Sequence, residues 1–238
     1  MLKGVRKISD RVEKTGERVE KNKGQSGGQQ VAKLYFRYGQ MNASKSIQLL
    51  TVAHNYEEQG KRVNVYTPGI ANREGLGQVA SRVGIARSAF PIGVDTDLFA
   101  SVRENLPHCV LVDEAQFLSR RHVEQLAQIV DELHVPVIAY GLLKDYRNQF
   151  FEGSEALVLW ADQIEEIKTV CVQENCNRKA TMILKVKEGH PVYVGEQIEI
   201  GGNELYRSVC RYHYLHPDGS VLIETQGKSM VPRGKSRN

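Results

Sequence analysis

Four short apolar runs constrain this chain most: "AKLYFRY" from Ala32, "RVNVYTP" from Arg62, "HCVLVDE" from His108 and "VPVIAYGL" from Val135. Each is the length of one strand, and their near-continuous apolar character predicts burial on both faces. Two longer stretches, "SKSIQLLTVAHNYEEQGK" and "RRHVEQLAQIVDEL", carry helical spacing, and the first is expected to stop near Gly60. Strands of this kind separated by helices predict a parallel sheet covered on both sides. Ligands of such sheets sit beyond the carboxyl ends of the strands, where two chemistry-bearing stretches fall.

The first is "RYGQMNASKS", Arg37 to Ser46, directly after the first strand. It nearly spells the phosphate-binding loop G-x-x-x-x-G-K-[ST], opened by Gly39 and closed by Lys45 and Ser46. Backbone N–H groups and a helix N-terminus surround phosphates in such a loop. Lys45 would neutralise the transferring phosphate, and the Ser46 hydroxyl would ligate Mg²⁺. Ser44 stands where the pattern has its second glycine. Its side chain crowds the phosphates, and it is uncomfortable if the position needs positive φ. Read alone, the stretch is equally an ordinary strand–turn–helix.

The second is "CVLVDEAQF", an apolar strand ending in Asp113 and Glu114. Opposite a phosphate loop, Asp113 can hold a metal ion or its waters, and Glu114 can take a proton from an attacking hydroxyl. The plain alternative is two acids capping the next helix. The "DEAQ" tetrad also resembles a helicase box, but such helicases need two RecA-like domains, for which this body is too short.

From Thr169 the character changes to short strand-like pieces, "TMILKVK", "PVYVG" and "QIEIGG", with cysteines and frequent glycine. A boundary near residue 168 is expected, dividing a nucleotide-binding domain over 31–168 from a small β module over 169–215. Cys171 and Cys176, then Cys210 and His213, give C-x4-C and C-x2-H, enough for one closed tetrahedral site. A sulfur-rich closed site leaves no open position for catalysis, so this zinc would be structural. The alternative is three unrelated reduced cysteines. Between the pairs, "EIGGNELY" places Gly201 and Gly202 before Tyr206. That allows close backbone approach to a ligand beside an aromatic ring, or simply a hairpin turn with a core tyrosine.

Charge divides unevenly. Residues 1–30 carry eight Lys/Arg against four Asp/Glu, and the tail "QGKSMVPRGKSRN" carries four basic residues and no acid. The net +4 of the chain therefore leaves residues 31–225 at −4. The acidic body is not the surface of a nucleic-acid binder, and the basic arm (1–30) and tail (216–238) read as solvated ends. No apolar run approaches the ~20 residues that span a bilayer. The start is too interrupted by charge for a signal peptide, so a cytoplasmic address is expected. The fourth cysteine, Cys109, lies in a strand-like run and reads as a small core hydrophobe.

Taken together, the segments "YFRYGQMNASKS", "CVLVDEAQFL", "VPVIAYGLLKDYRNQFFEGS", "EEIKTVC" and "GEQIEIGGNELYRSVCRYHY" resemble the zinc-containing, cytosolic-type (class II) thymidine kinases over about Lys33 to Tyr214. The resemblance implies an α/β fold, a RecA-like P-loop parallel sheet with helices on both faces, plus a small zinc-binding β (lasso) domain. It implies a homotetramer and transfer of phosphate from ATP to thymidine, with deoxyuridine as a further acceptor, and dTTP as feedback inhibitor.

By position, it puts Gly39, Gln40, Met41, Asn42, Ala43, Ser44, Lys45 and Ser46 on the ATP phosphates, and Ser46 and Asp113 on magnesium. Glu114 becomes the base acting on the 5′-hydroxyl. Met41, Leu142, Tyr146 and Phe151 match the apolar walls around the nucleoside. Gly201 and Gly202 belong to the lasso whose backbone reads the thymine edge, with Tyr206 near the ring.

Three departures are visible. Ser44 replaces a glycine, Ala71 stands two before Arg73 where the family usually has an acid, and "GLLKDYR" replaces the more usual "GLRTDFR". The basic N-terminal arm is also unusual for the family. These leave a second reading open: a weakly active or inactive homologue that binds dTTP or thymidine as a sensor or assembly partner.

Overall fold

The computed structural model describes residues 31–71, 77–81, 84–198 and 205–222. The basic arm, Arg73, Gly201, Gly202 and most of the C-terminal tail lie outside the described residues, as does the side chain of Ala71. The chain runs β1 (Leu34–Gly39), α1 (Lys45–Glu58), β2 (Val63–Pro68), β3 (Gln78–Ala80), β4 (Ala86–Ser88), β5 (Phe90–Ile92), α2 (Leu98–Asn105) and β6 (Cys109–Val112). It continues with α3 (Arg120–Leu133), β7 (Val137–Gly141), α4 (Glu152–Trp160), β8 (Gln163–Ile167), β9 (Met182–Lys187), β10 (His190–Val192), β11 (Leu205–Val209), α5 (Arg211–Leu215) and α6 (Gly219–Leu222).

Six strands pair in the order β5-β2-β6-β7-β1-β8, and every pairing is parallel. The four apolar runs form β1, β2, β6 and β7, its interior strands. Side chains alternate along a strand, and each strand accordingly feeds two cores. Leu34, Phe36, Val110, Val112, Val137 and Ala139 pack with α2, α3 and α4. Cys109, Leu111, Ile138 and Tyr140 pack with Leu49, Leu50 and Ala53 of α1. Burial on both faces is why these runs lack a clean polar alternation. Cys109 is fully buried, as expected of a core hydrophobe.

Helix ends follow local chemistry. Helix α1 ends at Glu58, and Gly60 takes φ +70°, as the reading near Gly60 requires. Helix α3 opens with a capping box in which Ser119 Oγ accepts from the His122 amide at 3.3 Å, and the His122 ring nitrogen Nδ1 faces the Ser119 amide at 3.4 Å. Helix α4 left no helical signature in the sequence. It is short and mostly apolar, "EGSEALVLW", so no polar face marks its period.

A second sheet, antiparallel in the order β10-β9-β11, follows β8. "TMILKVK" becomes β9, but "QIEIGG" is not a strand where it is described: Gln197 and Ile198 are irregular. Gln197 instead donates its side-chain amide to Asp145 Oδ2 (3.1 Å) and the Phe150 carbonyl (3.0 Å), holding the loop after β7.

Candidate active site

Gly39 ends β1 where β8 runs closest. A Cβ there would stand 2.7 Å from the Ile167 carbonyl oxygen, so no side chain fits. The chain then turns through Asn42 (φ 63°) and Ser44 (φ 63°, ψ 26°), both left-handed, before α1 begins at Lys45. Ser44 thus adopts the conformation for which the pattern keeps a glycine. Its side chain makes no cap hydrogen bond, and the first turn of α1 holds no acidic residue. The first helical amides and the positive end of the helix dipole therefore face the loop with no acidic side chain of the helix's own first turn to compete for them.

Left-handed backbone costs a non-glycine residue about 1–2 kcal/mol, against about 0.4–1 kcal/mol of unfolded-chain entropy that a glycine adds. Strain is the larger quantity. Ser44→Gly is therefore expected to stabilise the protein by about 0.5–1 kcal/mol, raising the melting temperature by about 2 °C. Thermal denaturation of the two proteins checks this. Because Ser44 already presents its backbone as a glycine would, any fall in the KM for ATP on this substitution measures the crowding of the phosphates by its side chain alone.

Lys45 folds back across the loop, donating to the Gly39 carbonyl at 3.2 Å and the Gln40 carbonyl at 2.9 Å. The Ser46 hydroxyl donates to Asp113 Oδ2 at 2.8 Å, across 67 residues of sequence. That bond joins the loop after β1 to the end of β6. Asp113 Oδ1 accepts from the Glu114 amide at 3.0 Å, and Glu114 itself is left-handed (φ 48°, ψ 38°). Glu114 makes no side-chain cap to the short 3₁₀ turn Ala115–Phe117 that follows. Its Oε2 instead accepts from Gln116 Nε2 at 2.6 Å. The helix-capping alternative for these acids is not what forms.

Burial pushes the Asp113 carboxyl up to about 6, with the neighbouring Glu114 charge adding to the rise; the Ser46 and Glu114 hydrogen bonds and the Lys45 charge oppose it. A carboxyl raised in the folded state contributes stability that is full below its unfolded value near 4 and is lost as pH rises through about 6. Without magnesium, the wild-type protein is expected to lose stability relative to Asp113→Asn between those pH values. Parallel melting curves across pH 4 to 7 measure the difference. A cation bound at the ionised carboxylate would cancel it.

The expected nucleoside walls lie on the loop after β1 (Met41), between β7 and the start of α4 (Leu142, Tyr146, Phe151) and on β11 (Tyr206). Tyr146 is 1% exposed. Its hydroxyl donates to the Glu196 carbonyl at 3.0 Å, and its carbonyl accepts from the Tyr214 hydroxyl at 2.8 Å. Tyr206 meets it edge-on with ring centroids 6.2 Å apart. Phe151 packs edge-on against Phe117 at 5.7 Å. The Met41 carbonyl accepts from Ser208 Oγ of β11 at 2.7 Å, so the phosphate-side loop and the second sheet meet directly. Leu142 is pinned from both sides: its amide donates to Gln116 Oε1 (3.0 Å) and its carbonyl accepts from Ser154 Oγ (2.5 Å).

Several residues of this region escaped the sequence reading. Asp145, buried, organises the loop by accepting from the Arg147 and Gln149 amides, each at 2.9 Å, a local signature visible in "DYRNQ". Lys185 is 2% exposed, with its ammonium 4.9 Å from the Tyr146 ring centroid and 6.0 Å from that of Tyr206. No sequence period announces a lysine buried in a strand. Gln116 and Phe117 lie inside "DEAQF", where residue type and spacing point only to the two acids.

The ligand atoms of Cys171, Cys176, Cys210 and His213 all lie within 4.8 Å of one another, a group that can hold a metal ion. Cys171 Sγ and Cys210 Sγ stand 3.4 and 3.5 Å from His213 Nδ1. Tetrahedral zinc with ordinary bond lengths separates sulfur from nitrogen by about 3.5 Å, so these residues fit the group. Cys176 sits on a turn closed by its amide to the Gln173 carbonyl at 3.1 Å, and Cys210 and His213 sit at the start of α5. The reading of three unrelated cysteines does not survive this convergence.

A lysine, a hydroxyl and paired carboxylates at the strand ends of a parallel α/β sheet are the parts of a phosphoryl-transfer site, here with a β module whose Cys3His group can hold a metal ion. Comparison with known proteins narrows the class. Residues 32–214 match the family described as thymidine kinase. The chain is 55% identical over 190 residues to a thymidine kinase of Streptococcus gordonii, covering 79% of this chain and 98% of that protein. Thymidine kinases of Streptococcus pyogenes serotype M1 and Lactiplantibacillus plantarum are each 54% identical over 79% of this chain, covering 100% and 97% of theirs. The chain belongs to the thymidine kinase family. Among solved structures, the Pif1 helicase of Candida albicans is 14% identical with a TM-score of 0.33, over 57% of this chain and 36% of that one.

Proposed function

We propose that this protein transfers the terminal phosphoryl group of ATP to the 5′-hydroxyl of thymidine, with deoxyuridine as a second acceptor, giving the 5′-monophosphate. The observation that carries the reading is the Ser46–Asp113 hydrogen bond at 2.8 Å, with Glu114 next in the chain. It unites a phosphate-type loop with a strand-end acid pair, and the family membership of the chain supplies the nucleoside.

In this reading the loop Gly39–Ser46 binds the phosphates, and Lys45 leaves the two carbonyls it now covers to meet the phosphoryl oxygens. Ser46 and Asp113 would hold the magnesium that accompanies ATP. Magnesium there would neutralise charge on the phosphate oxygens as the phosphoryl group moves. Glu114 orients the acceptor hydroxyl and takes its proton, while Met41, Leu142, Tyr146, Phe151 and Tyr206 enclose the nucleoside and exclude water. Gly201 and Gly202 are assigned to the base-reading lasso on sequence alone. Zinc at the Cys3His group would cross-link the turn at Cys171–Cys176 to α5, holding β9 and β11 against the site.

A functional division near residue 168, between a phosphate-handling sheet and a nucleoside-holding module, goes with this assignment. So does dTTP as an inhibitor occupying the acceptor site. No helix of the described residues is long and apolar enough to cross a membrane, and we assign the protein to the cytoplasm. Exposed apolar side chains at the end of α4 (Val158, Leu159, Trp160) and on β8 (Ile164) go with self-association, for which a homotetramer is the expected state. Sedimentation equilibrium tests it.

Neither the site nor the relatives favour the non-catalytic alternative. The decisive experiment is ATP- and Mg²⁺-dependent formation of dTMP from thymidine by the metal-loaded, folded chain. If none forms at high enzyme concentration, the proposal is wrong.

A further inference from the structure

Gln116 is 2% exposed and spends both ends of its side chain near the reacting groups. Its Nε2 donates to Glu114 Oε2 at 2.6 Å, and its Oε1 accepts from the Leu142 amide at 3.0 Å. Only this orientation of the amide satisfies both partners, because the reverse would set oxygen against carboxylate and N–H against N–H. The side chain passes over Gly141, at the end of β7. A Cβ at Gly141 would stand 2.8 Å from Gln116 Oε1 and 3.0 Å from the Gln116 backbone nitrogen. The residue therefore spans two neighbouring strand ends, β6 with the acids and β7 with the nucleoside wall. Ser154 Oγ, from α4, fixes the far side of Leu142 through its carbonyl at 2.5 Å.

We infer that Gln116 is a positioning residue for Glu114, whose amide registers the carboxylate against the backbone of Leu142. The physical argument is one of freedom. Glu114 sits on a left-handed turn with its carboxylate at the end of a flexible side chain, and a base must stand within hydrogen-bond reach of the acceptor hydroxyl. A buried donor anchored on the same loop that lines the nucleoside sets the distance between base and substrate. A nucleoside that seats against Leu142 thereby finds the base already placed. The inference rests on the proposed role of Glu114.

Five variants of the full-length, metal-loaded chain test it with ATP, Mg²⁺ and thymidine: Gln116→Met, Gln116→Glu, Glu114→Ala, and each of the first two combined with Glu114→Ala. Gln116→Glu keeps the volume and the acceptor toward the Leu142 amide but cannot donate to Glu114 in its ionised form. It carries the test if Gln116→Met fails to fold. Both single variants of Gln116 are expected to lower kcat by about tenfold to a hundredfold, with the KM for thymidine little changed. On the Glu114→Ala background, neither change should cost anything more, since the group it positions is gone.

The inference is overturned if Gln116→Glu retains wild-type kcat. It is equally overturned if the same loss recurs on the Glu114→Ala background, or if the loss lies in KM, which would mark displacement of the nucleoside wall. Full activity of Glu114→Ala alone would instead overturn the role of Glu114 itself, a separate failure.

Discussion

Glu114→Gln is expected to lower kcat by about a hundredfold to ten-thousandfold, the usual contribution of a positioned general base. The substitution is nearly isosteric, and the oxygen of the new amide can still accept from Gln116 Nε2, now 2.6 Å from the carboxylate. Geometry is therefore kept and only proton acceptance is lost. Steady-state kinetics should show the loss in kcat, with the KM values for ATP and thymidine little affected. Stabilisation of the protein by thymidine, read as a melting shift, should persist. Asp113→Asn offers the contrast. It removes a carboxylate oxygen that accepts from Ser46, so its deficit should appear as a raised magnesium requirement. Should Glu114→Gln turn over thymidine at a rate near that of the natural chain, Glu114 is not the base.

The second large effect is expected on stripping the metal from the Cys3His group. Structural zinc contributes about 10–16 kcal/mol in small zinc-held peptides, and a fraction of that is large beside a whole domain's stability. Here the group joins the turn that bears Cys171 and Cys176 to α5, beside a small core of Cys171, Met182, Leu184, Val186, Val209 and Cys210. Such a core buries little area. Chelation, or Cys210→Ser, is expected to lower the melting temperature by about 10 °C or more. Amide protection should vanish first in β9, β11 and α5, while β1, β6 and β7 keep theirs. Thymidine binding should go with it, because Ser208 and Tyr206 lie on β11 and reach Met41 and Tyr146. A chelated protein that melts unchanged would show that no structural metal was held.

The interior strands, α1 and α3 were legible because each is a local pattern: an apolar run, a helical period, a stop at Gly60. The strands β3, β4 and β5 are three residues long, too short to carry any period, and α4 lacks a polar face. In the site, the loop, the acids and the four metal ligands were legible because residue type and spacing encode their chemistry. Gln116 was not, since a glutamine two residues after a glutamate is ordinary until β7 brings Leu142 beside it. Lys185 was hidden for a related reason. A lysine in a strand reads as an exposed position until the fold sets the rings of Tyr146 and Tyr206 beside its ammonium.

By itself the sequence determined the layered parallel sheet, the placement of "GQMNASKS" and "DE" just beyond strand ends, and the quartet Cys171, Cys176, Cys210 and His213. These follow from forces that act between near neighbours in the chain: side-chain alternation, helical periodicity and the ligand preferences of a metal. Only the tertiary structure decided that β7 stands between β1 and β6, that Ser46 reaches Asp113, and that Gln116 ties Glu114 to Leu142. It also decided that Ser44 accepts a glycine's conformation. Strand order is chosen by how whole faces pack, a sum over residues far apart in the chain, and no local spacing contains it.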